Sequence, residues 1–484
     1  MIDLKKKYCM QLNKNDFPAH IFRAYDIRGK LNVLTPTVIY AIAEALSQQF
    51  LQRQVSTVVL GYDARLTSPS YAEILQQTFK KNGLNVIELG CCSTPCLYFF
   101  AMQHGGNGVM VTASHNPKSD NGVKWMCQGD PSSPEQIQQV ALLAQQYYQQ
   151  QQVAISFAEP PHQFIESYKA EYLQHLQQDI HLTRPLKVVV DGLYGSAGQY
   201  AVAILQRLGC QVIALRCEAN GEFPEHAPDP STAKHLEKLC HTVREQQADL
   251  GFALDGDGDR VVMVDETGAI LRADRLLCLF ARICLEHQPQ REVVFDVKCS
   301  SLVIQQIKHY GGIPHMLRTG STFLRKYIAH SQGQAIFGGE YAGHYVFNDG
   351  RGKGYDDGLY AALRAMEYLT QSASQKFSAL FVQIPERYAT EDTYIRTYQH
   401  HPVDVLQDIE QQSHKIAAHL TKIDGVRLDF DDGFGIIRAS NTGEYLTVRF
   451  DASSASRLQE IRQNFAYLLS EKYPEIAHDI CNAQ

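Results

Sequence analysis

Val58-Val59-Leu60-Gly61-Tyr62-Asp63 is an apolar, largely β-branched run that ends on an aspartate. A helical stretch through Ile74 and Phe79 follows, then Gly83 and a second apolar pair, Val86-Ile87. The same order returns as Val188-Val189-Val190-Asp191, a helical stretch through Ala203 and Leu208, then Gly209 and Val212-Ile213. It returns once more as Val293-Val294-Phe295-Asp296, a helical stretch through Val303 and Ile307, then Gly312-Ile313. Continuous apolar runs are strands covered on both faces, and a glycine after the helical stretch lets the chain leave the helix. Strand–helix–strand alternation predicts helices packed on a mostly parallel sheet, and three copies predict three α/β domains of similar build.

The last hundred residues have another rhythm. A helix is expected over 403–420, short strands over 426–428, 435–438 and 445–450, and an amphipathic helix over 458–469. Strands in succession, joined by turns containing Gly and Asn, predict an α+β domain. The glutamine-rich run at 145–152 is expected to be the exposed end of a helix or a linker, with a boundary near 156. The expected division is 1–156, 157–262, 263–375 and 376–484.

The 484 residues are 44% apolar and 20% charged, with a net charge of −7, which is a globular composition. No basic surplus exists to coat a nucleic acid or an anionic membrane, so phosphate recognition must be local. No apolar run reaches the roughly 18 residues of a membrane span. The basic start lacks an apolar region behind it. The expectation is a cytoplasmic chain without a nucleic-acid or membrane partner. Twelve cysteines occur without a paired CxxC pattern, which predicts reduced thiols rather than zinc.

Asp255-Gly256-Asp257-Gly258-Asp259-Arg260 carries the sharpest chemical signal, flanked by apolar runs that predict a tight loop between strands. Three carboxylates at alternate positions can converge on one hard cation, and oxygen-only ligation suits Mg²⁺, Mn²⁺ or Ca²⁺. A helix–loop–helix calcium site is excluded, because its sixth position needs glycine and here holds Arg260. Thr112-Ala113-Ser114-His115-Asn116-Pro117 follows the apolar run 108–111, so Ser114 is presented in a turn beyond a buried strand. It is no GxSxG elbow, and neighbouring Ser114 and His115 need not touch. Lys124, the Gly339-Glu340-Tyr341-Ala342-Gly343-His344 turn and Arg438-Ala439-Ser440-Asn441-Thr442 complete the set. The last offers a guanidinium fork, hydroxyls and an amide suited to one phosphate. Gly192, Gly195 and Gly198 are spaced GxxGxxG, which is not a dinucleotide fingerprint.

Together with Phe22-Arg23-Ala24-Tyr25-Asp26-Ile27-Arg28-Gly29, Asp296-Val297-Lys298-Cys299 and Tyr355-Asp356-Asp357-Gly358, these segments resemble the phosphohexomutase family, nearest its bacterial phosphomannomutase/phosphoglucomutase branch. The resemblance implies three related α/β domains with mixed sheets and a C-terminal α+β domain of TATA-binding-protein type. It implies reversible conversion of hexose 1-phosphate and hexose 6-phosphate through a bound hexose 1,6-bisphosphate. By that likeness Ser114 is the phosphoserine and, with Asp255, Asp257 and Asp259, holds Mg²⁺. Arg23 and Arg260 add positive charge, and Lys124 and His344 move the hydroxyl proton, with acid and base unassigned between them. Lys298, Glu340, His344, Arg438, Ser440, Asn441 and Thr442 bind the substrate. The partner is a small phosphosugar, and the chain is a monomer or small homo-oligomer. Phosphoglucosamine mutase of the same superfamily and a non-catalytic sugar-phosphate binder are the alternatives. The family usually has serine at Ala342, histidine at Ser321 and proline at Glu444.

Overall fold

The structure is a computed structural model, and it describes residues 17–150, 162–439 and 445–483. The chain forms two compact units. One comprises 1–271, 342–347 and 351–379; the other comprises 272–341, 348–350 and 380–484.

The first unit holds two mixed sheets. In one, the strand order is Ile27–Lys30, Asp120–Cys127, Gly108–Val111, Thr57–Tyr62 and Asn85–Cys91, with Asp130–Pro131 paired to Asp120–Cys127. Thr57–Tyr62 runs parallel to both neighbours, as its double-sided apolar character requires, whereas Asp120–Cys127 is antiparallel to its own. Val58, Leu60, Val109 and Val111 pack with Ile39, Leu46, Ile74 and Leu75 from the helices Pro36–Gln52 and Ser68–Lys81. The turns at the carboxyl ends of Thr57–Tyr62 and Gly108–Val111 carry Asp63 and Ser114, the end of an α/β sheet where ligands bind.

The second sheet has the order Val261–Asp265, Leu250–Leu254, Lys187–Asp191 and Gln211–Leu215. Leu254 pairs with Val261 in an antiparallel hairpin, which leaves 255–260 as the connecting loop. Val189, Ala253 and Val264 form its core with Leu239 and Val243 of the helix Glu237–Glu245.

In the second unit, Glu292–Asp296 lies parallel to Ile313–Leu317 and Ala335–Gly339, the third copy of the repeated pattern. An antiparallel sheet follows, in the order Tyr388–Ala389, Tyr445–Ala452, Gly433–Ala439, Val426–Phe430 and His419–Thr421, with Thr393–Arg396 also paired to Tyr445–Ala452. Val297 packs on Phe434 and Ile436, and two buried arginines join the same elements. Arg427 donates to the carbonyls of Val297 and Cys299 at 2.6 and 2.7 Å, and Arg449 donates to Asp274 Oδ2 at 2.7 Å.

One expected element is corrected. The helix over 403–420 ends far earlier, as Pro402–Gln412, and the remainder becomes a short 3₁₀ turn and the strand His419–Thr421. Ile416, Ala418 and Leu420 pack against the core at a period of two, which is strand spacing, and Leu420 pairs with Leu428. The strands Tyr388–Ala389 and Thr393–Arg396 and the helix Pro474–Cys481 were not expected at all. The described cysteines are free thiols, buried except for Cys481. Among the described residues, no helix is long and apolar enough to cross a membrane.

Candidate active site

Ser114 has a backbone φ of +52°, in the left-handed region that a residue with a Cβ rarely enters. Its N–H donates to Thr112 Oγ1 at 2.7 Å, and that hydroxyl donates to Asp63 Oδ2 at 2.7 Å. Held this way, Ser114 Oγ donates to Asp255 Oδ2 at 2.7 Å across 141 positions of sequence. His115 Nδ1 lies 3.1 Å from the same Oγ, so the two adjacent side chains, which sequence adjacency alone did not require to touch, do meet. Burial, reinforced by Arg260 and Arg28, holds the His115 imidazole well below its ordinary pKa and so neutral.

Asp255, Asp257 and Asp259 are 0%, 0% and 3% exposed, and each offers an oxygen within 4.8 Å of the others. Gly258, at φ +80°, makes the reversal that turns the alternate carboxylates inward. Burial and then the neighbouring Asp259 and Asp257 push the Asp255 carboxyl well above its ordinary value. Asp257 Oδ1 and Asp259 Oδ1 are buried without a hydrogen-bond partner. Three carboxylates so placed, two with unsatisfied oxygens, fit a hard divalent cation and its oxygen-only ligation.

Lys124 Nζ, from the strand Asp120–Cys127, lies 2.6 Å from Asp257 Oδ2 and 2.7 Å from Asp259 Oδ2. Burial works against its charge, but Asp257 and Asp259 outweigh it and hold the ammonium protonated well above its usual range. Arg260 Nε donates to His344 Nε2 at 2.8 Å, which makes that ring nitrogen the unprotonated one. His344 Nδ1 is 2.8 Å from Asp356 Oδ2 and 3.7 Å from Asp259 Oδ1. Arg23 is half-buried in the turn between Phe22 and Ile27, and its N–H donates to Asp26 O at 2.9 Å. Five residues on, Arg28 reaches Asn116 Oδ1 at 2.9 Å.

The expected substrate ligands of the second unit have partners of their own. Lys298 Nζ donates to Asp392 Oδ2 at 2.6 Å and lies 5.5 Å from the centre of the Tyr341 ring. Glu340 accepts from the Gly320 N–H, and Arg438 pairs with Asp424 at 2.7 Å. Ser440, Asn441, Thr442 and Glu444 lie outside the described residues.

Four segments of the chain match the phosphoglucomutase/phosphomannomutase family: alpha/beta/alpha domain I at 19–151, domain II at 170–268, domain III at 272–388 and the C-terminal domain at 400–468. The chain belongs to this family. The phosphomannomutase/phosphoglucomutase of Pseudomonas putida is 38% identical over 461 residues, covering 95% of this chain and 97% of that protein. The phosphoglucomutase of Neisseria meningitidis serogroup A is 36% identical, covering 92% of this chain and 95% of its own length. The crystal structure of a phosphoglucomutase/phosphomannomutase family protein from Burkholderia thailandensis has a TM-score of 0.85 to this one at 31% identity, covering 95% and 98% of the two chains.

For a phosphoglucomutase/phosphomannomutase family member, several supporting side chains escaped the sequence reading. Asp356 forms a second buried cluster with Asp259 and His344, although it stood in the quoted Tyr355-Asp356-Asp357-Gly358 run. Thr94 Oγ1 donates to Asp257 Oδ2 at 2.6 Å, and its N–H donates to Asp257 O at 2.8 Å. The dismissed glycines also have a use: a Cβ on Gly195 would stand 2.7 Å from Gly256 O and 2.8 Å from its Cα, so only glycine lets that turn lie against the aspartate loop.

Proposed function

We propose that this chain interconverts hexose 1-phosphate and hexose 6-phosphate, of mannose and glucose, by passing one phosphoryl group through Ser114. The observation that carries the proposal is the 2.7 Å hydrogen bond from Ser114 Oγ to Asp255 at a buried loop of three aspartates. The sugar hydroxyl oxygen bonds to phosphorus as the Oγ–P bond of phosphoserine breaks, and a hexose 1,6-bisphosphate results. After the bisphosphate has turned end for end, Ser114 recovers the other phosphoryl group. Asp255, Asp257, Asp259 and the Ser114 phosphate would hold Mg²⁺, which when bound offsets charge on the phosphoryl oxygens.

The remaining roles rest on this chain's own groups. His344 Nε2 is the unprotonated nitrogen and suits the base that takes the hydroxyl proton as Arg260 turns to the phosphate. Lys124 is the other group placed to move the hydroxyl proton, and it can donate only once Asp257 and Asp259 no longer hold its ammonium. Arg23 and Arg260 place positive charge at the transferring group. Glu340 holds sugar hydroxyls, and Lys298, Arg438, Ser440, Asn441 and Thr442 hold the phosphate that is not reacting. Hexose 1,6-bisphosphate is the activator that loads Ser114, and the reaction belongs to the carbohydrate metabolism of the cytoplasm.

The test is a rate comparison on glucose 1-phosphate, mannose 1-phosphate and glucosamine 1-phosphate with trace bisphosphate. Turnover of glucose and mannose phosphates is expected. Preference for glucosamine 1-phosphate, or turnover of none, would overturn the assignment.

A further inference from the structure

Arg65 is 1% exposed and lies under the serine loop. Its guanidinium uses every N–H. Nε donates to Asp63 Oδ2 at 3.1 Å. Nη1 donates to the carbonyls of Pro117 at 2.7 Å and Asp120 at 2.9 Å. Nη2 donates to the carbonyls of Ser114 at 2.8 Å and Asn116 at 2.6 Å. The ring of Phe223, from the other α/β half of the unit, lies 5.3 Å from the guanidinium carbon.

This arrangement fastens a strained residue from both sides. The Ser114 N–H is fixed by Thr112 Oγ1, its carbonyl by Arg65, and both anchors converge on the carboxylate of Asp63. A serine keeps a left-handed backbone only where its surroundings determine it. With the peptides on either side of Ser114 pinned, the direction of its Cα–Cβ bond is fixed, and from there Oγ reaches Asp255. A planar fork with five donors can reach four carbonyls at once; an ammonium with three donors cannot.

We propose that Arg65 is a positioning residue for the reaction, holding Ser114 in the left-handed conformation from which its hydroxyl reaches Asp255. It rests on the reading of Ser114 as the phosphoryl carrier. Arg65 then governs how fast Ser114 exchanges its phosphoryl group and leaves sugar-phosphate affinity nearly untouched. A role in stability alone would lower the folded fraction and leave the turnover of each folded molecule unchanged.

The experiment compares Arg65→Lys and Arg65→Ala with the unaltered chain. It measures kcat, KM, the single-turnover rate at which Ser114 takes phosphate from glucose 1,6-bisphosphate, and backbone hydrogen exchange. Expected is a fall of about 10²-fold in kcat and in the single-turnover rate, the scale of a misplacement of about 1 Å. KM should stay within about threefold, because binding groups are unaltered. Faster exchange should be confined to 112–122, and guanidinium at matched ionic strength should restore part of the Arg65→Ala rate. Wild-type kcat in Arg65→Lys, or losses that only follow the folded fraction without rescue, would overturn the proposal. Should neither variant fold, Thr112→Val decides it through the other anchor: the same split between kcat and KM supports the proposal, and wild-type kcat overturns it. Ser114→Ala separates the two readings. Full activity there overturns the serine's role and this inference together, whereas an inactive Ser114→Ala beside a normal Arg65→Lys overturns this inference alone.

Discussion

The Lys124 ammonium lies 2.6 Å from Asp257 Oδ2, both groups are largely withdrawn from water, and Asp259 Oδ2 lies 2.7 Å from the same nitrogen. A cation supplied by the chain therefore shares the carboxylates that suit a metal. Replacing Lys124 by Met should tighten Mg²⁺ binding by about tenfold, since removing one competing charge is worth about 1.4 kcal/mol. Turnover should fall at the same time. Calorimetric titration with Mg²⁺ checks this, and weaker binding in Lys124→Met would defeat the competition argument.

Asp257→Asn keeps the shape of the side chain and the hydrogen bond from Thr94, but removes one charge. The fold should persist. Turnover should drop by about 10²-fold or more, the usual scale for losing one electrostatic contact to the reacting group. Steady-state rates at saturating Mg²⁺ give the answer, and undiminished activity would remove Asp257 from the site.

Gly195→Ala tests the glycine contact behind the aspartate loop. The added carbon would stand 2.7 Å from Gly256 O and 3.0 Å from Asp255 O, closer than packed atoms tolerate. We expect a loss of about 1–3 kcal/mol in unfolding free energy, the usual cost of overpacking, together with weaker Mg²⁺ binding. Denaturant melts and the same titration report both; a variant indistinguishable from the parent would show that the loop yields at no cost.

Asp357 gives a pH dependence. Burial raises its carboxyl to about 6, although the Tyr172 hydroxyl donates to it. A carboxyl raised in the folded state holds its proton more tightly there than when unfolded. Its contribution to stability is therefore complete below pH about 4 and is lost as pH rises through about 6, an effect of about 3 kcal/mol at most. Asp357→Asn preserves the helix N-cap yet cannot titrate, so the stability difference between the two proteins should change across this window. Unfolding titrations from pH 4.5 to 7.5 measure it, and parallel curves would exclude Asp357 as the source.

Much of the architecture could be read in advance where the information is local. Each β-branched run closing on an aspartate became a strand buried on both faces, and the carboxylates spaced by glycines became a hairpin loop, because side-chain alternation and glycine geometry act within a few residues. The stretch after Gln412 misled for the opposite reason. Its apolar residues fit either period, and the partner strand Val426–Phe430 decided between them.

What amino-acid order alone determined is the inventory: a serine in a turn, three aspartates able to chelate, and a guanidinium close in sequence to hydroxyl and amide side chains. Tertiary structure alone decided which groups face one another. Arg65 holds four carbonyls, and every residue type carries a carbonyl, so no pattern of letters could reveal the clasp. Likewise Thr94, Asp356 and Gly195 gain their meaning from neighbours between 12 and 163 positions away, brought close by tertiary packing.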